Sequence, residues 1–358
     1  MNISREAVLE QLEKIQEPEL KKGLVSANLV EKLEINDTSI SLTIAITSPT
    51  LHARKRMQDA VVFNLERTLG KSLIINCDVN SNAADTRKTN RTVLPHVKKI
   101  IAIASGKGGV GKSTITSNIA GGLVKKGFKV GIIDADIYGP SIPTMLDLVG
   151  ERPKMIDVDG KQLMEPVTNY EIKVLSIGFF TDQDNAVVWR GPMASKALTQ
   201  MITDAHWGEL DYLLIDLPPG TGDIHLSLIQ TAPLDGVVIV STPQEVALAD
   251  ARRGINMFKM DGIKVPIIGV VENMAWFTPE ELPNNKYYIF GRDGAKNLAV
   301  GMQVPFLGSI PLVQSVREAG DAGRPAVFQN DTQMSIAFDE LVDTFMEELA
   351  KIERNNSK

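Results

Sequence analysis

The run Gly106-Lys107-Gly108-Gly109-Val110-Gly111-Lys112-Ser113-Thr114 separates an apolar segment, residues 100–104, from a helix-patterned stretch, residues 114–126. Bare glycines let a backbone curl until successive N–H groups face inward, and a helix that follows directs its positive end at the same space. Strand, loop and helix in that order predict a phosphate cradle. Lys112 would neutralise the β- and γ-phosphates of a nucleotide, Ser113 would offer its hydroxyl to magnesium, and Thr114 would begin the helix. A glycine-rich turn that only joins strand to helix accounts for the glycines but for neither Lys112 nor Ser113.

Beyond residue 98, strand-like runs at 99–104, 129–134, 212–216, 236–241 and 266–271 alternate with helical segments. That alternation predicts an α/β fold, a doubly wound and mostly parallel sheet of the P-loop NTPase kind over residues 98–358. Asp159-Gly160 marks a hairpin on its side, and residues 333–353 place Phe338, Leu341, Val342, Phe345 and Leu349 on one helical face. Residues 1–80 read as a small α+β domain in α-β-β-α-β order, with helices at 7–15 and 57–69 and strands at 24–30, 39–47 and 73–79. Residues 81–97, polar and unpatterned over most of their length, read as a linker.

The 358 residues carry a formal charge of −6, so no global basic field favours nucleic acid as a partner. No apolar run approaches the ~20 residues that span a bilayer, and residues 1–13 are charged, unlike a signal peptide. A single cysteine, Cys77, excludes an intramolecular disulfide framework. A cytoplasmic protein without a membrane partner is expected.

Two acidic elements follow apolar strands. In Asp134-Ala135-Asp136-Ile137-Tyr138-Gly139-Pro140-Ser141 both carboxylates fall at the carboxyl edge of the sheet, where ligands of such folds bind. Asp136 is assigned to orient an attacking water and Asp134 to support magnesium-bound water. The residues alone leave these roles exchangeable, and turn formation or helix capping also open. Asp216, ending the run 213–216 before Pro218-Pro219-Gly220-Thr221-Gly222-Asp223, has the Walker B arrangement. It can hold magnesium through water, while the Gly220 N–H meets a γ-phosphate and shifts when that phosphate leaves.

The loop Lys-Gly-Gly-Val-Gly-Lys-Ser resembles the deviant phosphate loop of the MinD, ParA and nitrogenase iron-protein ATPases. That resemblance implies that Lys107 reaches the partner subunit's ATP in a homodimer. It also implies that Asn273 bonds the adenine edge; Pro311 either flanks the base or simply ends a strand. Together with Val188-Trp189-Arg190-Gly191-Pro192-Met193, Asp216-Leu217-Pro218-Pro219-Gly220-Thr221-Gly222-Asp223 and Val271-Glu272-Asn273-Met274, the chain over residues 98–328 resembles the Mrp/ApbC family. Trp189 and Arg190 either brace a turn or contact a partner. The leading domain, with Glu17-Pro18-Glu19 and Thr47-Ser48-Pro49, resembles the iron-sulfur assembly domain fused to such ATPases.

The family resemblance implies a slow ATPase that binds iron-sulfur clusters and transfers them to client apoproteins, in company with iron-sulfur assembly proteins. It also implies a Cys-x-x-Cys after Glu-Asn-Met. Here Pro279 and Leu282 stand near those positions, and the leading domain's usual cysteine is missing near His52. Cys77 is either a small buried residue or one thiolate per subunit. His96, His206 and His225 have no metal-ligand spacing. The cluster ligands are therefore unassigned, and a metal-free nucleotide-switch adaptor is the alternative.

Overall fold

The computed structural model describes residues 4–18, 20–36, 38–46, 51–70, 73–81, 93–180, 191–279, 281–282, 285–329 and 332–356. They divide between two units, Met1–Thr89 with Asp261–Ile263, and Asn90–Met260 with Lys264–Lys358.

In the first unit α1 (Arg5–Glu13) starts at Ser4, whose hydroxyl accepts the Ala7 N–H at 3.2 Å, and it buries Val8 and Leu12. A two-residue pair, β1 (Gln16–Glu17) with β2 (Lys22–Gly23), leads to β3 (Val30–Ile35), β4 (Ser39–Ile46), α2 (Leu51–Leu69) and β5 (Ile74–Ser81). β4 lies between β3, antiparallel, and β5, parallel. Its alternate residues Ile40, Leu42, Ile44 and Ile46 share one core with Met57, Val61 and Leu65. The strand expected at 24–30 begins only at Val30. Ala27 N–H bonds the Gly23 carbonyl, Leu29 N–H bonds the Leu24 carbonyl, and Asn28 adopts φ +55°, so residues 24–29 form turns that still bury Leu24 and Leu29. Ser81 ends β5, and residues 82–92 of the expected linker lie outside the described ones, as do Glu19, Thr47, Ser48, Pro49 and the His52 side chain.

The second unit runs β6 (Val97–Ala104), α3 (Lys112–Lys125), β7 (Val130–Asp134), α4 (Ile142–Met145), β8 (Lys154–Val158), β9 (Lys161–Glu165), β10 (Val167–Asn169) and β11 (Ile172–Ser176). It continues α5 (Gly191–Thr203), β12 (Leu210–Asp216), α6 (Asp223–Thr231), β13 (Gly236–Ser241), α7 (Glu245–Lys259), β14 (Ile267–Phe277), α8 (Gly294–Met302), β15 (Phe306–Leu312), α9 (Gln314–Asp321) and α10 (Gln333–Asn356). Eight strands form one sheet in the order β10-β11-β7-β12-β6-β13-β14-β15, parallel except for edge strand β10. The predicted hairpin is β8–β9, with Asp159 and Gly160 both at positive φ, +53° and +78°, as a primed turn requires.

Ile115, Ile119 and Leu123 of α3 share the main core with Phe338, Val342 and Phe345 of α10. The two helices approach closely because Gly122 has no side chain; a Cβ there would lie 2.7 Å from Val342 Cγ2. β14 extends past the expected 271 to Phe277, and its pairing with β15 shifts register near Met274, which adopts φ +55°. Parallel strands bring their carboxyl ends to one edge, so residues 105–112, 134–136, 216–220 and 273 gather there. Among the described residues no helix is long and apolar enough to cross a membrane.

Candidate functional site

The loop after β6 turns on two left-handed glycines, Gly109 at φ +79° and Gly111 at φ +82°. A Cβ on Gly109 would meet nothing within 4 Å, whereas one on Gly111 would collide with the Asn273 amide and one on Gly106 with the Asp250 carbonyl. The cradle is thus tight on its protein side and open at Gly109. Gly111 caps α3, so the helix begins at Lys112 and not, as expected, at Thr114. The early N–H groups of such a helix have no partner within it, and they lie under the loop.

Lys112 is 5% exposed and its Nζ lies 2.8 Å from Asp216 Oδ2 and 3.5 Å from Asp136 Oδ2. Burial pulls its pKa down, but Asp216, Asp136 and Asp134 outweigh burial and leave it raised. Asp216 is fully buried; besides Lys112 it accepts the Ser113 hydroxyl at 2.5 Å and the Thr116 hydroxyl at 2.7 Å. Asp136, partly open to solvent, has its carboxyl pKa raised by burial against the opposing pull of Lys112.

Asp134 stands at the same edge, held by partners of its own. It is fully buried and accepts the Asp136 N–H at 3.2 Å, the Ile142 N–H at 3.2 Å and the Ser176 hydroxyl at 2.9 Å. Burial and then Asp216 push its carboxyl up, against Lys112 and these hydrogen bonds. Its oxygens hold the 134–142 segment while its charge still acts on Lys112 and Asp216.

The Gly220 N–H donates to the Ser105 carbonyl at 3.0 Å, with Gly220 at φ +99°. Asn273 donates its side-chain amide to the Val110 carbonyl at 2.9 Å. Asn273, Thr114 and Pro311 line a cavity of about 480 Å³ beside the loop, closed by Met274, Val316 and Arg317. Pro311 lies within β15 and does not end it. Lys107 is exposed on the loop, and Val110 is buried beneath it. Trp189 and Arg190 lie outside the described residues. The structure therefore brings Lys112, Ser113, Asp136 and Asp216 together, places Asn273 behind the loop, and sets Lys107 apart.

Two participants carry no motif, and a third, Glu272, stands in Val271-Glu272-Asn273-Met274 without a role read from it. Thr116 is four residues after Lys112, a spacing that puts it on the same helical face and makes it readable in principle. Ser176 comes from β11, which no motif marks. Glu272, whose carboxylate accepts the Ala295 N–H at 2.7 Å, holds the start of α8; burial raises its pKa.

A family model described as NUBPL iron-transfer P-loop NTPase matches residues 96–346. The chain belongs to this family. A second model, described as iron-sulfur cluster assembly protein, matches residues 5–71, in the first unit. An iron-sulfur cluster carrier protein from Synechocystis sp. is 42% identical over 330 residues, covering 91% of this chain and 92% of that one. The iron-sulfur cluster transfer protein NUBPL of Dictyostelium discoideum is 44% identical over 273 residues, 76% of this chain and 83% of its own. A nucleotide-binding protein from Archaeoglobus fulgidus, solved in complex with ADP, shares the fold with a TM-score of 0.59 and 38% identity over 68% of this chain and 94% of that one. This is the grouping implied by the motifs at 106–114, 134–141 and 216–223, and the P-loop NTPase fold expected from them holds.

Proposed function

We propose that this protein is an iron-sulfur cluster carrier that binds and slowly hydrolyses ATP as a cytoplasmic homodimer, passing clusters to client apoproteins in company with iron-sulfur assembly proteins. The observation that carries this is the Lys112–Asp216 pair with Ser113 and Thr116 on the same carboxylate, set under a glycine loop, in a chain similar over nine-tenths of its length to a protein named for cluster carriage.

In this reading Lys112 and the loop N–H groups of residues 106–114 hold the phosphates, Lys107 extends to the nucleotide of the partner subunit, and Asp136 orients water. The 480 Å³ cavity takes the base against Asn273. Three carboxylates surround one ammonium at this edge, and among the described residues no three His, Cys, Asp or Glu side chains converge as a metal cage. One hydroxyl with carboxylates reached through water is a donor set that fits magnesium, which keeps several waters and takes phosphate oxygens. Ser113 would bind it directly, with Asp216 and Asp134 behind its waters. Bound there, magnesium neutralises charge on the β- and γ-phosphates.

The cargo ligands are the point at which a second reading gains support. Cys77 is buried, and burial followed by Asp78 raises its thiol to about 11, which keeps it protonated and unready for iron. With Pro279 and Leu282 where thiols are implied, a metal-free nucleotide-switch adaptor is favoured by these residues. Anaerobic reconstitution with iron and sulfide separates the two. Stoichiometric cluster that passes to an apoprotein is expected of the carrier, with Cys77→Ser reporting whether that thiol takes part. Wild-type protein that binds no cluster would leave the adaptor reading.

A further inference from the structure

His225 lies in the first turn of α6 and is 2% exposed. Its backbone N–H bonds the Gly222 carbonyl at 3.0 Å, and its ring bonds the Pro218 carbonyl. Ring Nε2 has no hydrogen-bond partner, which leaves Nδ1 as the donor to Pro218. Burial depresses the imidazole to about 4, with the nearby Lys112 ammonium acting in the same direction against the Pro218 carbonyl. The ring is therefore neutral at physiological pH, carries its proton on Nδ1, and spends it on one bond.

That bond grips the base of the 218–222 turn. Pro218 and Pro219 have no N–H, so the first donor after Leu217 is Gly220, and its N–H is held by the Ser105 carbonyl. The turn is held at Pro218 by the His225 ring, at Gly220 by the Ser105 carbonyl, and at its last residue, Gly222, by the His225 backbone N–H. A Cβ on Gly220 would meet nothing within 4 Å, so the turn has room to move at that point. A stiff diproline segment fixed at Pro218, with Gly220 held by a single backbone bond, lets the Gly220 N–H swing about its fixed end.

We propose that His225 is a positioning residue for this turn: its Nδ1–H clamp on Pro218 fixes the pivot, so that the Gly220 N–H exchanges between the Ser105 carbonyl and the terminal phosphate of bound nucleotide. The proposal rests on the nucleotide-switch reading above and adds the residue that makes the movement definite. Because Nε2 is without a partner, the Pro218 bond is the ring's one polar attachment. Asparagine, whose side-chain amide nitrogen falls where Nδ1 does, preserves it; glutamine reaches the Nε2 position and alanine reaches neither.

The test compares full-length wild type, His225→Asn, His225→Gln and His225→Ala for kcat and KM with Mg-ATP, Mg-ADP affinity, and hydrogen exchange of the Gly220 amide with and without a non-hydrolysable ATP analogue. The expected result is kcat at least tenfold lower in the Gln and Ala proteins with ADP affinity within threefold of wild type, and kcat within threefold of wild type in the Asn protein. Gly220 exchange responds to the analogue in wild type and Asn, and is fast and unresponsive in Gln and Ala. If Ala does not fold, the Asn–Gln contrast carries the test. Equal activity and equal exchange across all variants overturn the proposal, as does equal impairment of Asn and Gln. Failure of wild type itself to bind or hydrolyse ATP would instead overturn the nucleotide-switch reading.

Discussion

One ammonium faces three carboxylates at the head of α3, and the geometry fixes how they share it. Asp216 takes Lys112 at 2.8 Å, Asp136 stands off at 3.5 Å, and Asp134 leans on Ser176 and two backbone N–H groups. Removing the cation by Lys112→Ala leaves Asp216 buried and uncompensated, which should lower stability by about 3–5 kcal/mol in nucleotide-free urea denaturation and abolish phosphate release. Wild-type stability and turnover would contradict the assignment. Lys107 gives the cleaner catalytic test because it is exposed. Lys107→Ala should stay within about 0.5 kcal/mol of wild-type stability and lose roughly 10²-fold in hydrolysis, measured as phosphate release at saturating ATP. His225 supplies a pH signature. Folded, it titrates at about 4 against 6.5 for the free side chain, so its contribution is full above pH 6.5 and is lost as pH falls toward 4. Between pH 7 and 5 wild type should lose about 2 kcal/mol that His225→Asn does not lose, read from urea midpoints at the two values.

The β6-loop-α3 element is where sequence and structure agree most closely, because its constraint is local. Glycine spacing dictates the left-handed turns at Gly109 and Gly111, and Lys112 and Ser113 follow on the first helical turn. Gly111→Ala should cost about 1–3 kcal/mol in stability from backbone strain, more where the new methyl meets Asn273, and should eliminate Mg-ATP binding by calorimetry. Retained affinity would show that the loop does not need its left-handed cap. Elements set by distant pairing were less legible. Leu24 and Leu29 are apolar at strand-like positions, yet Asn28 breaks the run and delivers both from turns. β11 carries no motif and β15 only Pro311, and their inclusion in the sheet depends on pairing with β7 and β14. Ser176 was unreadable for the same reason, since it meets Asp134 only because β11 joins β7. Asp134 was legible as a site-edge acid, but its commitment to Ser176 and Ile142 follows from burial that no local pattern states.

Across the second unit, the sheet edge and the core behind it are one construction. α3 is held against the sheet by α10, through Gly122 against Val342 and through Phe338 and Phe345, which are fully buried. Phe338→Ala should therefore cost about 3–5 kcal/mol, read from denaturant unfolding, and loosen α3 at the site as well as the core. An unchanged midpoint would mean that α10 is not needed to hold α3. The proposed function places the nucleotide where β6, β7, β12 and β14 end, and the roles of Lys107, Lys112, Asp136 and His225 depend on that placement. Titration calorimetry of Mg-ATP into the full-length chain tests it most directly. One nucleotide per chain, with uptake lost in Gly111→Ala, is the predicted result; well-folded wild type that takes up no Mg-ATP would contradict it.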